Sequence, residues 1–375
     1  VSTVALRAQA CRRAAADPMW RYVVTIWACS RVVTILYGWE LTSFLGWHRA
    51  IEPWQTQPWR AVTGWDTAYY IEVARHGYGH NLTVAFFPLY AIGIRAWETV
   101  TGMGDATAAL AVANLSVLVA FAGLYVLGRR RLGEEHARRA VLYLALSPYA
   151  FALVMGYSEG LFLALTVWMV VLFDSDREVL AAPLGLLAGL TRVTALAIVP
   201  SLAIVALRRR RVATWVAAAA PVVAFGLFAL WLDHAVGDPL AMVHVQKHWG
   251  GRPTFPLFSL VDQFTAFVRT LDFFFLARGL TVIGYLALLI PILRLPRFAP
   301  NRWEDTMYVL GIFAMPLFSN VLLSVGRFGL VAFPLMFALA DLGLRRRNVH
   351  RAYVVFAPTF QIIFFTAAAL GYRAP

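Results

Sequence analysis

Apolar runs long enough to cross a bilayer recur along this 375-residue chain from Trp20 to Leu370. A hydrocarbon core of about 30 Å takes roughly 20 apolar residues in helix. Inside it every backbone N–H and C=O needs a partner, so only helices or closed barrels span it. The runs are continuous and lack the ~10-residue alternation of an outer-membrane barrel. The chain therefore reads as an all-α polytopic membrane protein, a single membrane-embedded domain over 1–375. Composition agrees, with 60% hydrophobic and 14% charged residues, against about 25% charged in soluble domains.

The formal charge of +13 would suggest nucleic acid in a soluble protein. Here the arginines sit beside apolar spans, the pattern of cytoplasmic loops, so no nucleic-acid partner is expected. The runs are Arg7/Arg12/Arg13, Arg129–Arg131, Arg208–Arg211, Arg294/Arg297/Arg302 and Arg345–Arg347. Placing all of them inside forces an even number of spans between neighbouring runs. Trp20–Leu41 then goes out as an uncleaved anchor, and Leu110–Leu127 returns. The segment 42–109 becomes a long first external loop with juxtamembrane helices, in which Phe86–Val100 lies on the surface because it carries Arg95 and Glu98. The hairpins Ala140–Gly156/Gly160–Phe173 and Val179–Leu190/Val193–Leu207 follow. Val212–Leu232 leads to a second external loop at 233–272. Phe273–Leu293, Thr306–Leu323, Phe328–Leu344 and Val354–Leu370 complete about eleven spans, several shorter than a full crossing. The frame is that of a multi-pass plasma-membrane protein with a cytoplasmic N-terminus.

That frame, set by arginines alone, sends the other polar residues to one side. Asp66, Glu72, His76 and His80 fall in the first loop. Tyr157-Ser158-Glu159 and Thr191-Arg192 fall at outer turns. Asp233, His234, Asp238, His244, Gln246, Lys247 and His248 fall in the second loop, and Ser324 and Arg327 at another outer turn. Loop residues are commonly just solvated. The aromatic setting of Trp65, Tyr69, Tyr70, Tyr78, Phe86, Phe87 and Trp249 argues for more, since aromatics partition to bilayer interfaces. A polar site rimmed by them suits a substrate that is part lipid and part headgroup, and ionisable groups near membrane depth are functional candidates.

Glu72 and His76 share a helix face at i and i+4, but this is not the H-E-x-x-H zinc signature. Neither a P-loop nor a G-x-G-x-x-G is present. A metal site is not expected. A partly desolvated carboxylate is a suitable general base for a hydroxyl, and Arg192, Lys247 and Arg327 suit an anionic headgroup, arginine being favoured for bidentate phosphate contact. One base with several phosphate-binding cations suggests transfer from a lipid phosphate. The alternative is a transporter or flippase of a lipid-linked sugar. It lacks support from any inverted repeat or paired broken spans.

The stretches "WDTAYYIEVARHGY" and "AFFPLY" in Trp65–Tyr90 resemble the PIG-V-type mannosyltransferases, the enzymes that add the second mannose of GPI anchors, and their bacterial relatives. "YSEGLF" (Tyr157–Phe162), "AGLTRVTAL" (Ala188–Leu196), "GDPLAMVHVQKHW" (Gly237–Trp249) and "SVGRFGLVAFPL" (Ser324–Leu335) follow in the family's order. Ala91 departs from it, where a second proline is usual. The resemblance implies a GT-C glycosyltransferase fold, a polyprenyl-phosphate-mannose donor, an external active site, inversion at the sugar, and no metal or other cofactor. It implies Asp66 as general base, and Arg192, Lys247 and Arg327 at the donor phosphate. Trp65, Tyr70, His76, His80, Tyr157, Glu159, Gln246, His248 and Trp249 would contact sugar or acceptor, the latter a glycolipid or glycan. Glu72 is read as an exposed partner of Arg75 or His76. The Asn81-Leu82-Thr83 triplet, which fits an N-glycosylation acceptor, is read as coincidental. One lysine among 33 basic residues reads as a GC-rich, actinobacterial coding bias, and Val1 as a GTG start.

Overall fold

The computed structural model describes residues 17–48, 59–79 and 81–371, which form α-helices joined by turns and short 3-10 segments. Helix α1 (Pro18–His48) is the first apolar run. The first loop carries α2 (Arg60–Thr63), α3 (Asp66–His76), a 3-10 turn at Leu82–Ala85 and α4 (Pro88–Thr101). Pro88 opens α4, where its missing N–H costs nothing, and Gly102 closes it with φ of 69°. Tyr90, Ala91 and Ile94 form its buried face, packed on α5 (Asp105–Leu132). At 14 residues α4 rises about 21 Å, too short to cross, so the expected surface segment is an amphipathic helix.

The bundle continues with α6 (Glu134–Leu146), α7 (Glu159–Phe173), α8 (Glu178–Gly189), α9 (Ile198–Arg209) and α10 (Val212–Val236). Then come α11 (Ala241–His244), α12 (Pro256–Thr270), α13 (Phe273–Ala287), α14 (Leu289–Arg294), α15 (Arg302–Ser319), α16 (Val325–Val331), α17 (Pro334–Arg345) and α18 (Arg347–Ala369). The core lies mainly between α5, α7, α8 and α10. Buried aromatics include Phe121, Tyr125 and Phe162 on α5 and α7, and the core extends beyond these helices through Phe151, which packs on Phe365, and Phe333, which packs on Tyr308.

Five helical stretches among the described residues are long and apolar enough to cross a membrane: Pro18–Phe44, Asp105–Leu132, Val212–Val236, Phe273–Arg294 and Arg347–Ala369. The α16–α17 pair, bent by 81°, makes a sixth if it counts as one span. The protein is a multi-pass membrane protein, but length and composition alone do not reach the eleven spans expected. Helices α7 and α8 have 15 and 12 residues, so they rise only about 22 and 18 Å. The segment 233–272 is largely helical. Helix α10 runs on to Val236, and α12 fills much of the rest. Leu257, Phe258, Val261 and Val268 of α12 face outward while Ser259 and Gln263 are buried, the polarity of a helix bordering lipid.

The described arginine runs meet at one end of the bundle. Arg131 grips Asp174 at 2.6 and 3.0 Å and reaches Asp305 at 3.0 Å. Arg208 pairs with Glu304, and Arg209 with Glu178 at 2.8 Å. Arg297 and Arg345 both hold the fully buried Asp341, at 2.5 and 3.0 Å.

Candidate active site

The site is assembled around the first residue of α3. Gly64 and Trp65 turn the chain into this helix, and Trp65 takes φ of 57°. A bulky residue there costs of order 1–3 kcal/mol and persists only where the surroundings impose it. The restraint is visible: the Trp65 indole N–H donates to the Ala368 carbonyl near the end of α18, at 2.9 Å. Asp66 thus enters α3 in its first turn, where the helix dipole favours a carboxylate. The buried Thr67 follows and lies against Gly156, where a Cβ would stand 2.6 Å from the threonine methyl. That contact requires glycine, and it brings the first turn of α3 up to the segment leading into α7.

On this segment are Tyr157, Ser158 and Glu159. Glu159 opens α7 with only 1% of its side chain exposed. Its Oε1 lies 2.8 Å from Arg192 Nη1 and 3.3 Å from Arg327 Nη1. Arg327 also donates to Asp66 Oδ2 at 2.6 Å and, through Nη2, to Ser324 at 2.9 Å. Its guanidinium carbon stands 4.8 Å from the centre of the Tyr157 ring, a cation–π contact. Arg192 donates to Ser158 Oγ at 3.0 Å, and the Tyr70 hydroxyl bonds the same oxygen at 2.7 Å. Burial pushes the Tyr70 phenol up to about 12, so it stays protonated. Arg327 is held by close packing: a Cβ on the preceding Gly326 would fall 2.2 Å from the Tyr149 ring.

Two carboxylates and two arginines, from four distant parts of the chain, therefore form one continuous network. Exposure differs along it. Arg327 is 7% and Arg192 17% exposed, while Asp66 keeps 27%. Glu159 forms the closed end and Asp66 the open one. The arrangement offers an accessible acceptor of protons next to guanidinium groups suited to a phosphate.

The sequence expectations divide at this point. Asp66, Tyr70, Tyr157, Glu159, Arg192 and Arg327 are brought together. Trp65 anchors the backbone. Trp249 packs against the apolar cluster of Tyr70, Val73 and Phe86. Lys247 and His248 are exposed, and Gln246 donates to the Met242 carbonyl at 3.2 Å. Among the described residues no hydrogen bond or ion pair joins these three to the network. His76 pairs with Glu72 at 3.1 Å on the exposed face of α3, as expected of Glu72, whereas Arg75 pairs with Asp105. His80 lies outside the described residues. The Asn81-Leu82-Thr83 triplet has a structural use, since Asn81 Oδ1 accepts from the Thr83 N–H at 2.9 Å and caps the 3-10 turn.

Sequence reasoning missed a buried brace below the site. Arg31 of α1 donates to Asn114 Oδ1 at 3.0 Å and to the Leu153 carbonyl at 2.9 Å, and Asn114 donates to the Val154 carbonyl at 2.9 Å. The available signal was an arginine inside the first apolar run, where a charge must find partners.

Residues 49–214 match the family model described as mannosyltransferase (PIG-V). The crystal structure of ArnT from Cupriavidus metallidurans bound to undecaprenyl phosphate is similar, with a TM-score of 0.52. The alignment covers 93% of this chain and 77% of that one at 14% identity, a likeness of fold. No curated protein matches the chain. The matched segment holds Asp66, Tyr70, Tyr157, Glu159 and Arg192, while Arg327 lies beyond it. Residues 49–214 are thus similar to the mannosyltransferase (PIG-V) family, and the chain as a whole shares the fold of ArnT.

Proposed function

We propose that the protein transfers mannose, with inversion, from a polyprenyl-phosphate-mannose donor to an acceptor hydroxyl on the external leaflet. The observation that carries this reading is the Asp66–Arg327–Glu159–Arg192 network in a chain of mannosyltransferase kinship. Asp66 takes the acceptor hydroxyl proton as that oxygen attacks C1. The bond between C1 and the phosphate oxygen breaks, and the polyprenyl phosphate leaves with both electrons. Arg327 and Arg192 bind the phosphate and stabilise its growing charge, electrostatic help that is strongest where water is excluded. The leaving group is already a phosphate, so the reaction does not require a metal. Glu159 positions both guanidinium groups. Tyr70, through Ser158, fixes Arg192. The external placement is supported by the arginine runs, which lie at the far end of α7 from Glu159, with Asp174 beside them. The undecaprenyl phosphate in the ArnT structure makes a polyprenyl-phosphate donor reasonable for this chain.

The test is incubation of the purified protein, in nanodiscs, with labelled polyprenyl-phosphate-mannose and a membrane lipid extract. The expected result is label in a new glycoconjugate as the α-mannoside, from a β-linked donor. Label that only changes leaflet would make the protein a transporter, and a β-linked product would overturn inversion.

A further inference from the structure

A second site is offered by an open cavity of about 430 Å³ between the 3-10 turn after α3 and the segment that follows α10. The volume falls in the range of about 300–1,000 Å³ typical of ligand pockets. Its floor is aliphatic, formed in part by Leu82 and Val84, with Val84 buried on Phe228 and Leu232. Its rim is polar and fixed. Asp238 Oδ1 accepts from the Leu240 N–H at 3.0 Å, and Oδ2 lies 2.8 Å from His244 Nδ1. With Nδ1 so engaged, His244 has Nε2 left for a ligand. Asn81 commits its Oδ1 to the Thr83 N–H and hydroxyl at 2.9 and 2.5 Å, and its amide N–H groups meet no hydrogen-bond acceptor among the described residues. His248 completes the rim.

This combination selects a ligand class. Among the described residues neither arginine nor lysine lines the cavity, and Asp238 repels anions, so it is a poor phosphate site. Mixed donors and acceptors around an aliphatic floor match a sugar ring, which has hydroxyls at its edge and a C–H face. The location adds to this. Helix α3 runs from Asp66 to His76, 11 residues or about 16 Å, and Asn81 follows shortly after. Trp249, next to His248, packs on the cluster that holds Tyr70 and Val73 of α3. One sugar cannot fill both places, but a chain of sugars can.

We infer that this cavity is a distal acceptor subsite for a neutral, hydroxyl-rich sugar, and that the acceptor is an oligosaccharide-bearing molecule. The inference rests on the Asp66 network being the transfer centre. The test compares a mannose monoglycoside with a mannose trisaccharide on the same aglycone, in wild type, His244→Phe and Asn81→Asp. In Asn81→Asp the introduced carboxylate still caps the turn but no longer donates. Wild type is expected to show a lower KM for the trisaccharide. Each variant should raise that KM about fivefold, as expected for one lost neutral hydrogen bond, with monoglycoside kinetics and donor KM unchanged. Equal wild-type KM values for the two acceptors, or equal effects of the variants on both, would overturn the subsite. Binding is read separately by saturation-transfer NMR with free mannotriose. Absence of transfer with mannotriose still bound, and bound more weakly by His244→Phe, would fault the transfer reading and keep the cavity. Absence of binding to wild type, or equal binding to wild type and variant, would refute the cavity.

Discussion

The two ends of α7 both gather arginines and carboxylates, yet they are built differently. At the Glu159 end two acids and two arginines balance, and every member is at least partly buried. At the Asp174 end arginines outnumber acids, and many pairs stand at the rim: Arg211 is 57% exposed where it meets Asp176 and Glu178. Rim pairs are worth about 0–1 kcal/mol. Removing one partner of a buried pair costs about 3–5 kcal/mol. The first end is thus an organised site that tolerates little change, and the second is a set of rim pairs in which positive charge is in excess.

Substitutions should separate the two ends. The largest effect is expected at Asp66, where Asp66→Ala removes the proposed base and should lower turnover by about 10²–10⁴-fold, read by label transfer. Arg327→Ala should come next. It strips Asp66 and Glu159 of a shared partner, raises the donor KM and lowers stability by about 3–5 kcal/mol, measured by donor titration and thermal unfolding in detergent. Arg192→Ala should raise the donor KM with less loss of stability, because Arg192 is the more exposed of the two and touches Glu159 but not Asp66. Gly326→Ala should displace Arg327 through the Tyr149 ring and cost about 1–3 kcal/mol of overpacking, visible as a lower melting temperature. The smallest effect belongs to the other end: Arg211→Ala should shift stability by under about 1 kcal/mol and leave transfer unchanged. If Arg211→Ala proved as damaging as Arg327→Ala, the distinction between the ends would fail.

Much of this was legible in the chain itself. Long apolar runs dictate a helical membrane bundle, and the arginine runs divide its ends. Asp66, Glu159, Arg192 and Arg327 stood out as charges where charges are costly. Their roles within the network were not legible, because burial depends on packing between distant segments. Glu159 was expected at sugar or acceptor; its place at the closed end of the network, where Gly156 lets Thr67 of α3 approach the start of α7, was not legible. Lys247 was expected at the donor phosphate with Arg192 and Arg327, and its exposed position on the 3-10 turn at Val245–Trp249, apart from their ion pairs, could not be read from residue type. The span count was legible only in part, because α7 and α8 are apolar but short. The strained backbone of Trp65 could not be read at all, because it is imposed by α18, some 300 residues away in sequence.

The most direct test of the account is turnover and donor binding measured side by side in Asp66→Asn. The substitution keeps the shape of the side chain and removes its ability to take a proton. The account requires donor affinity within a few-fold of wild type together with transfer reduced by about 10²-fold or more. Near-normal turnover in purified Asp66→Asn protein would contradict it, and Asp66 would then be a structural partner of Arg327 instead of the base.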